Sequence, residues 1–118
     1  MSAAGRSLFI FGIYRAVVGI LLVVVPNVLL GLLSLPGTSE VWIRFAGVLF
    51  IIISFYDLLA GGRNLNDFFP WSIIARTSVI LFLAAFILLG FGKPILIVFG
   101  AIDLIGAAWT LIAIQTGV

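Results

Sequence analysis

Four long apolar segments, separated by short turns, make up almost the whole of this chain of 118 residues. A helix of about 20 apolar residues is long enough to cross the roughly 30 Å hydrocarbon core of a bilayer. Only 8% of the residues are charged and 64% are hydrophobic, whereas soluble domains have about 25% and 45 to 50%. The sequence therefore predicts an all-α integral membrane protein, a four-helix bundle with short loops embedded in a lipid bilayer.

Prolines and glycines between the apolar segments set the predicted boundaries. We expect four spans, over about residues 8–25, 41–60, 70–89 and 94–115. They belong to a single predicted transmembrane domain, residues 1–118, because no room is left for a soluble domain. Pro26 and Asn27 interrupt the first apolar run, so residues 28–35 are predicted to form a short interfacial segment. The glycine pair at residues 61–62 is predicted to end the second span.

The distribution of basic residues predicts the orientation of the chain. An even number of spans puts both termini on the same side of the membrane. That side also receives most of the arginines, either in its loops or in the nearer halves of the helices, namely Arg6, Arg15, Arg63 and Arg76. The opposite side carries Arg44 and Lys93. Because Lys and Arg residues that flank spanning helices are more frequent on the cytoplasmic side of the membrane, this distribution favours cytoplasmic termini.

Charged residues inside the predicted spans are the strongest pointer to a site. Five such residues interrupt the apolar segments: Arg15, Arg44, Asp57, Arg76 and Asp103. Each costs about 2.5 to 3.5 kcal/mol at the centre of a spanning helix, so each must be paired, hydrated or close to the headgroups. Arg44 lies about one turn from an interface, where we expect it to snorkel or to meet Glu40. The other four form the candidate intramembrane polar site: Arg15, Asp57, Arg76 and Asp103.

Helical spacing predicts which faces turn inward. Small and polar residues recur every three or four positions on the fourth span, at Gly100, Asp103, Gly106, Ala107 and Thr110. Such a stripe lets helices approach closely. By depth, either Arg15 or Arg76 is able to meet Asp57, whereas Asp103 lies near the midplane. Three interpretations stay open: the charges hold the bundle together, they line a wet pathway for a substrate or proton, or they contact a partner subunit or lipid headgroups.

The order of these features resembles the DoxX-like family of small bacterial four-span membrane proteins. The resemblance is carried by Tyr14, Arg15, Gly19 and Pro26, then by Arg44, Gly47, Tyr56 and Asp57, and finally by Arg76 and Asp103. It implies a four-helix bundle in a bacterial inner membrane. Some DoxX-like proteins are accessory subunits linked to quinol oxidation or thiosulfate metabolism, and most have no assigned activity. The resemblance supplies no catalytic motif for this chain.

Composition narrows the function classes. The chain has neither His nor Cys, so we predict no catalytic, cofactor-binding or metal residues and no cofactor. Its basic residues are scattered, which argues against nucleic acid. We therefore expect a non-catalytic bundle that binds a partner subunit, a second copy of itself, or a lipidic molecule such as quinone. A small proton-coupled transporter of an anionic or amphipathic solute is the alternative, and an accessory redox subunit is a third hypothesis.

Overall fold

The computed structural model describes residues 2–116, and their regular structure is entirely helical. Five α-helices and one 3-10 turn follow one another: α1 Ala3–Val24, α2 Pro26–Leu32, α3 Val41–Gly62, α4 Phe68–Leu88, the turn Pro94–Leu96, and α5 Ile97–Thr116. No strand occurs among these described residues. The predicted all-α class is therefore confirmed.

Four helical stretches are long and apolar enough to cross a bilayer: Ala3–Val24, Val41–Gly62, Phe68–Leu88 and Pro94–Thr116. Their mean hydropathies lie between 2.0 and 2.3. Each has apolar side chains around most of its circumference, as expected for helices whose solvent is lipid rather than water. The protein is a multi-pass membrane protein with a lipid bilayer as its environment.

The first two helices begin where the chain offers a cap or a proline. Helix α1 starts at Ala3, ahead of the predicted start of the first span, because the hydroxyl of Ser2 accepts a hydrogen bond from the Gly5 N–H at 3.0 Å. Helix α2 starts at Pro26 and ends at Leu32, so it lies earlier than the predicted interfacial segment. Proline suits the first helical position because it lacks an N–H that would need a partner there.

Three helices end in the same way, with one residue in the left-handed region. These residues are Ser34, Asn64 and Gly90, with φ of 58°, 51° and 79°. In each case the following residue donates to a carbonyl five positions earlier: Leu35 to Leu30, Leu65 to Ala60, and Phe91 to Phe86. This is the Schellman arrangement, which satisfies terminal carbonyls. The glycine pair predicted to end the second span forms the last two residues of α3, and the left-handed residue that follows is Asn64.

The chain folds into two compact units. The first, here the α1–α3 unit, comprises Phe9–Leu59. Two glycines bring its long helices into backbone contact: a Cβ added to Gly47 would lie 2.7 Å from the carbonyl oxygen of Gly19, and one added to Gly19 would lie 2.8 Å from that of Gly47. Such close approach maximises van der Waals contact, a main source of helix association within lipid.

The second unit, here the α4–α5 unit, contains the residues up to Leu8 together with those from Ala60 onward. Gly100 of α5 lies against α4, where an added Cβ would be 2.8 Å from the Cα of Ile80. Its apolar core is a cluster of buried side chains: Ala4, Leu8, Ala60, Phe69 and Ala113. This cluster gathers the beginning of α1, the end of α3, the beginning of α4 and the end of α5.

Candidate functional site

An ion pair connects α1 and α3 within the α1–α3 unit. The Arg15 Nη1 atom donates to the Asp57 Oδ2 atom at 3.1 Å, and the two side chains are only 11% and 3% exposed. Sequence reasoning left two arginines open as partners of Asp57, and the structure shows Arg15 in this role. Pairing with an opposite charge offsets part of the cost of burying either charge alone in an apolar environment.

The residues around this ion pair are arranged to accommodate it. Gly12 faces Asp57, because a Cβ added there would lie 3.0 Å from the Asp57 Cβ. The Arg15 guanidinium carbon lies 4.7 Å from the centre of the Phe11 ring, and the Phe11 and Tyr14 rings are 5.4 Å apart. A cation over an aromatic face is attracted by the negative charge of that face. Gly12 therefore leaves room for the Asp57 side chain, and the Phe11 ring attracts the Arg15 guanidinium.

Arg76 occupies the interior of the α4–α5 unit and is only 1% exposed. Its Nη2 atom donates to the Thr110 hydroxyl oxygen at 2.9 Å, and its Nε atom donates to the Ser72 carbonyl oxygen at 3.4 Å. Both of these acceptors are neutral. The guanidinium therefore donates one hydrogen bond to an acceptor on its own helix α4 and one to an acceptor on α5, and the second bond links the two helices.

Thr110 extends this polar chain to the start of α1. Its hydroxyl oxygen lies 2.7 Å from that of Ser7, and the Ser7 hydroxyl donates to the Ala4 carbonyl oxygen at 2.7 Å. Both hydroxyl side chains are completely buried. Buried hydroxyl groups are costly unless they are hydrogen-bonded. The chain of Arg76, Thr110 and Ser7 thus stabilises the contacts among three helices of the α4–α5 unit.

Asp103 lies on α5, in the middle of the predicted stripe of small and polar residues. The side chain of Asp103 is 8% exposed, and the four other members of the stripe are buried with it: Gly100, Gly106, Ala107 and Thr110. Because α4 and α5 are joined by a short turn, they run antiparallel. Gly100 is level with Ile80, so Asp103 lies near the level of Thr77 and its neighbour Arg76.

Arg44, on α3, is exposed rather than buried. Its guanidinium donates a hydrogen bond to the Val23 carbonyl oxygen in the last turn of α1. Of the two predicted roles, an ion pair with Glu40 is not found among residues 2–116. The carbonyls at a helix C-terminus lack partners within the helix and carry partial negative charge, so they attract the guanidinium.

The four predicted site residues therefore have different environments. Arg15 and Asp57 contact each other in the α1–α3 unit, whereas Arg76 and Asp103 are buried in the α4–α5 unit. Sequence reasoning missed Ser7. Its position was available from helical spacing, because Ser7, Phe11 and Arg15 recur every four residues on α1.

Within residues 2–116, no group of three or more His, Cys, Asp or Glu side chains is placed to hold a metal ion.

The resemblance to DoxX-like proteins stays a prediction. No family model, curated protein sequence or solved structure matches this chain.

Proposed function

We propose that this protein is a non-catalytic membrane subunit that binds either a partner protein or a lipidic molecule. In this proposal the intramembrane charges serve mainly to stabilise the helices, and the binding surfaces lie elsewhere. We place it in a bacterial inner membrane with both termini in the cytoplasm, as the DoxX-like resemblance and the distribution of arginines suggest.

The observation that carries this proposal is the Arg15–Asp57 ion pair. A substrate site needs groups whose hydrogen-bonding capacity is directed toward the substrate. Here a guanidinium and a carboxylate are 3.1 Å apart, almost completely buried, and packed against Phe11 and Gly12. Arg76 likewise donates to Thr110 and Ser72. These contacts support a structural role for the charges.

The outer surface supports a binding role. In the most apolar 18-residue window of α4, only 11% of the residues are buried. Large apolar side chains such as Trp71, Leu81 and Phe82 are more than 60% exposed on this helix. Lipid tails cover such a surface without cost, and so does another membrane protein or a second copy of this chain.

Purification of the full-length protein in a mild detergent tests the proposal. We expect a partner subunit, a second copy, or one lipidic molecule to remain bound in a fixed ratio, identified by mass spectrometry of proteins and lipids. Asp57→Asn should reduce both this binding and the thermal stability, because it leaves Arg15 without its counter-charge. Asp67→Asn, at an exposed position, is the matched control. A monomer without such a ligand that transports a solute in proteoliposomes would contradict the proposal.

One observation favours the alternative, a small proton-coupled transporter. Asp103 is a buried acidic residue near the middle of a spanning helix, with glycines one turn away on either side at Gly100 and Gly106. Acidic residues within spans are a recurrent component of proton-coupled transport. Under this alternative, Asp103→Asn abolishes proton-coupled flux of an anionic solute in proteoliposomes, whereas Asp67→Asn leaves it unchanged. Equal flux in the wild type and Asp103→Asn would exclude Asp103 from such a mechanism.

A further inference from the structure

A cavity of about 320 Å³ opens among the helix ends of the α4–α5 unit. Its walls come from the start of α1, the turn before α4, the first turn of α4 and the last turns of α5: Ser2, Ala4, Asn66, Phe69, Pro70, Ala113 and Ile114. The volume is at the lower end of the range for small-molecule sites, about 300 to 1,000 Å³. Because these are ends of spanning helices, the cavity lies at the boundary between membrane and water.

The chemistry of the lining changes across the cavity. Ala4, Phe69 and Ala113 belong to the buried apolar core and form the inner surface of the cavity. Among residues 2–116, the polar residues of the lining are Ser2, which directly precedes α1, and Asn66, which lies in the turn before α4. A molecule in this cavity therefore meets apolar atoms on the side of the core and hydrogen-bonding groups on the side of the turns.

Charge is the second property of the lining. Among residues 2–116, all side chains that line the cavity are uncharged. An ionic headgroup that entered would lose part of its hydration without gaining a counter-charge, which is unfavourable. A hydroxyl or carbonyl head loses less free energy when it leaves water, because the Asn66 amide offers it both hydrogen-bond donors and an acceptor. The lining thus selects against ionic ligands and in favour of neutral ones.

We infer that this cavity binds the head region of a neutral, single-chain amphipathic molecule. Its apolar part lies against Phe69 and Ala113, and its hydroxyl or carbonyl head lies beside Asn66 and Ser2. This inference rests on the proposed binding function, for which it names the chemical class and the location of a lipidic ligand.

A photoreactive monoacylglycerol is the probe that tests this inference. The full-length protein is placed in nanodiscs of defined phospholipid, and the site of labelling and the dissociation constant are measured. The same measurements are made with a fatty acid and with an alkyl trimethylammonium of equal chain length. We expect the label on residues that line the cavity, and binding of both charged analogues to be weaker by about tenfold or more, a difference of about 1.4 kcal/mol.

Two alanines of α5 provide a matched pair of variants. Ala113→Leu places a larger side chain in the cavity, whereas Ala108→Leu makes the same change at an exposed position of the same helix. We expect Ala113→Leu to weaken binding of the monoacylglycerol by about tenfold or more and Ala108→Leu to leave it unchanged. If Ala113→Leu fails to fold, Asn66→Leu replaces it, because that exposed residue supplies the hydrogen bonds to the head.

Two results would overturn the inference. Equal affinity for the neutral and charged probes would identify ordinary lipid contact, as would labelling that Ala113→Leu and Asn66→Leu leave unchanged. The inference about the cavity and the proposed function fail separately. If a partner or ligand remains bound in a fixed ratio to both variants as to the wild type, the cavity is not its site, while the binding function stands.

Discussion

The Arg15–Asp57 ion pair predicts a specific pattern in a double-mutant cycle. The side chains are 11% and 3% exposed, and their charged atoms are 3.1 Å apart. Arg15→Met leaves a buried carboxylate and Asp57→Asn leaves a buried guanidinium. Loss of one partner of a buried pair costs about 3 to 5 kcal/mol, so each single variant should lose this much free energy of unfolding.

The double variant should behave differently, because neither charge is left at the site. Replacement of a whole buried pair is much less costly than removal of one member, so we expect a total loss of about 3 kcal/mol or less. The two single losses add up to about 6 to 10 kcal/mol. The coupling energy should therefore be at least about 3 kcal/mol, which is large among measured couplings.

Reversible unfolding by sodium dodecyl sulfate in mixed micelles measures these free energies, followed by circular dichroism. Arg63→Met and Asp67→Asn provide the control cycle, since they make the same substitutions at exposed positions. We expect the control cycle to be additive. Additive losses in the Arg15–Asp57 cycle would refute the inference that the two charges stabilise each other.

Two further predictions concern packing and hydrogen bonding. Gly47→Ala should destabilise the protein by about 1 to 3 kcal/mol in the same unfolding assay, because its Cβ would lie 2.7 Å from a backbone oxygen, whereas Gly31→Ala has open space around the added atom and should not destabilise. Thr110→Val keeps the shape but removes the acceptor of the hydrogen bond from Arg76, so we expect a loss of about 1.5 to 3 kcal/mol. Thr116→Val, at an exposed position near the end of α5, should change stability little. Equal effects within either pair would contradict the assigned contacts.

Much of the local structure could be predicted from the chain because its causes are local. The run of apolar residues decides where the spanning helices lie, since within lipid every backbone group must be hydrogen-bonded inside its own helix. The boundaries were harder to predict. The glycine pair at residues 61–62 forms the last two residues of α3, just beyond the predicted bound of the span, and the left-handed residue that follows is Asn64, whose side chain accepts a hydrogen bond from the Ser2 N–H. That contact joins residues far apart in the sequence.

For the charged residues, too, the sequence predicts some properties and leaves others to the tertiary structure. Their presence in apolar segments was sufficient to predict that they need partners, because the cost of an isolated charge in lipid depends on residue type and depth alone. Which partner each one has was not predictable, since two arginines lay at suitable depth for Asp57. In the structure Arg15 is the partner, and Gly12 of the same helix lies against Asp57.

The amino-acid sequence alone determined the all-α class, the number of spanning helices and the need to compensate five intramembrane charges. These properties follow from the hydrophobicity of each segment and from backbone hydrogen bonding within each helix. Both depend on residues that are close together in the sequence. Tertiary structure decided that Arg15 pairs with Asp57, that Arg76 donates to Thr110, and that a cavity opens beside Phe69, where the lining side chains among residues 2–116 are uncharged. Such contacts depend on distances of a few ångströms between separate helices, and only packing sets those distances.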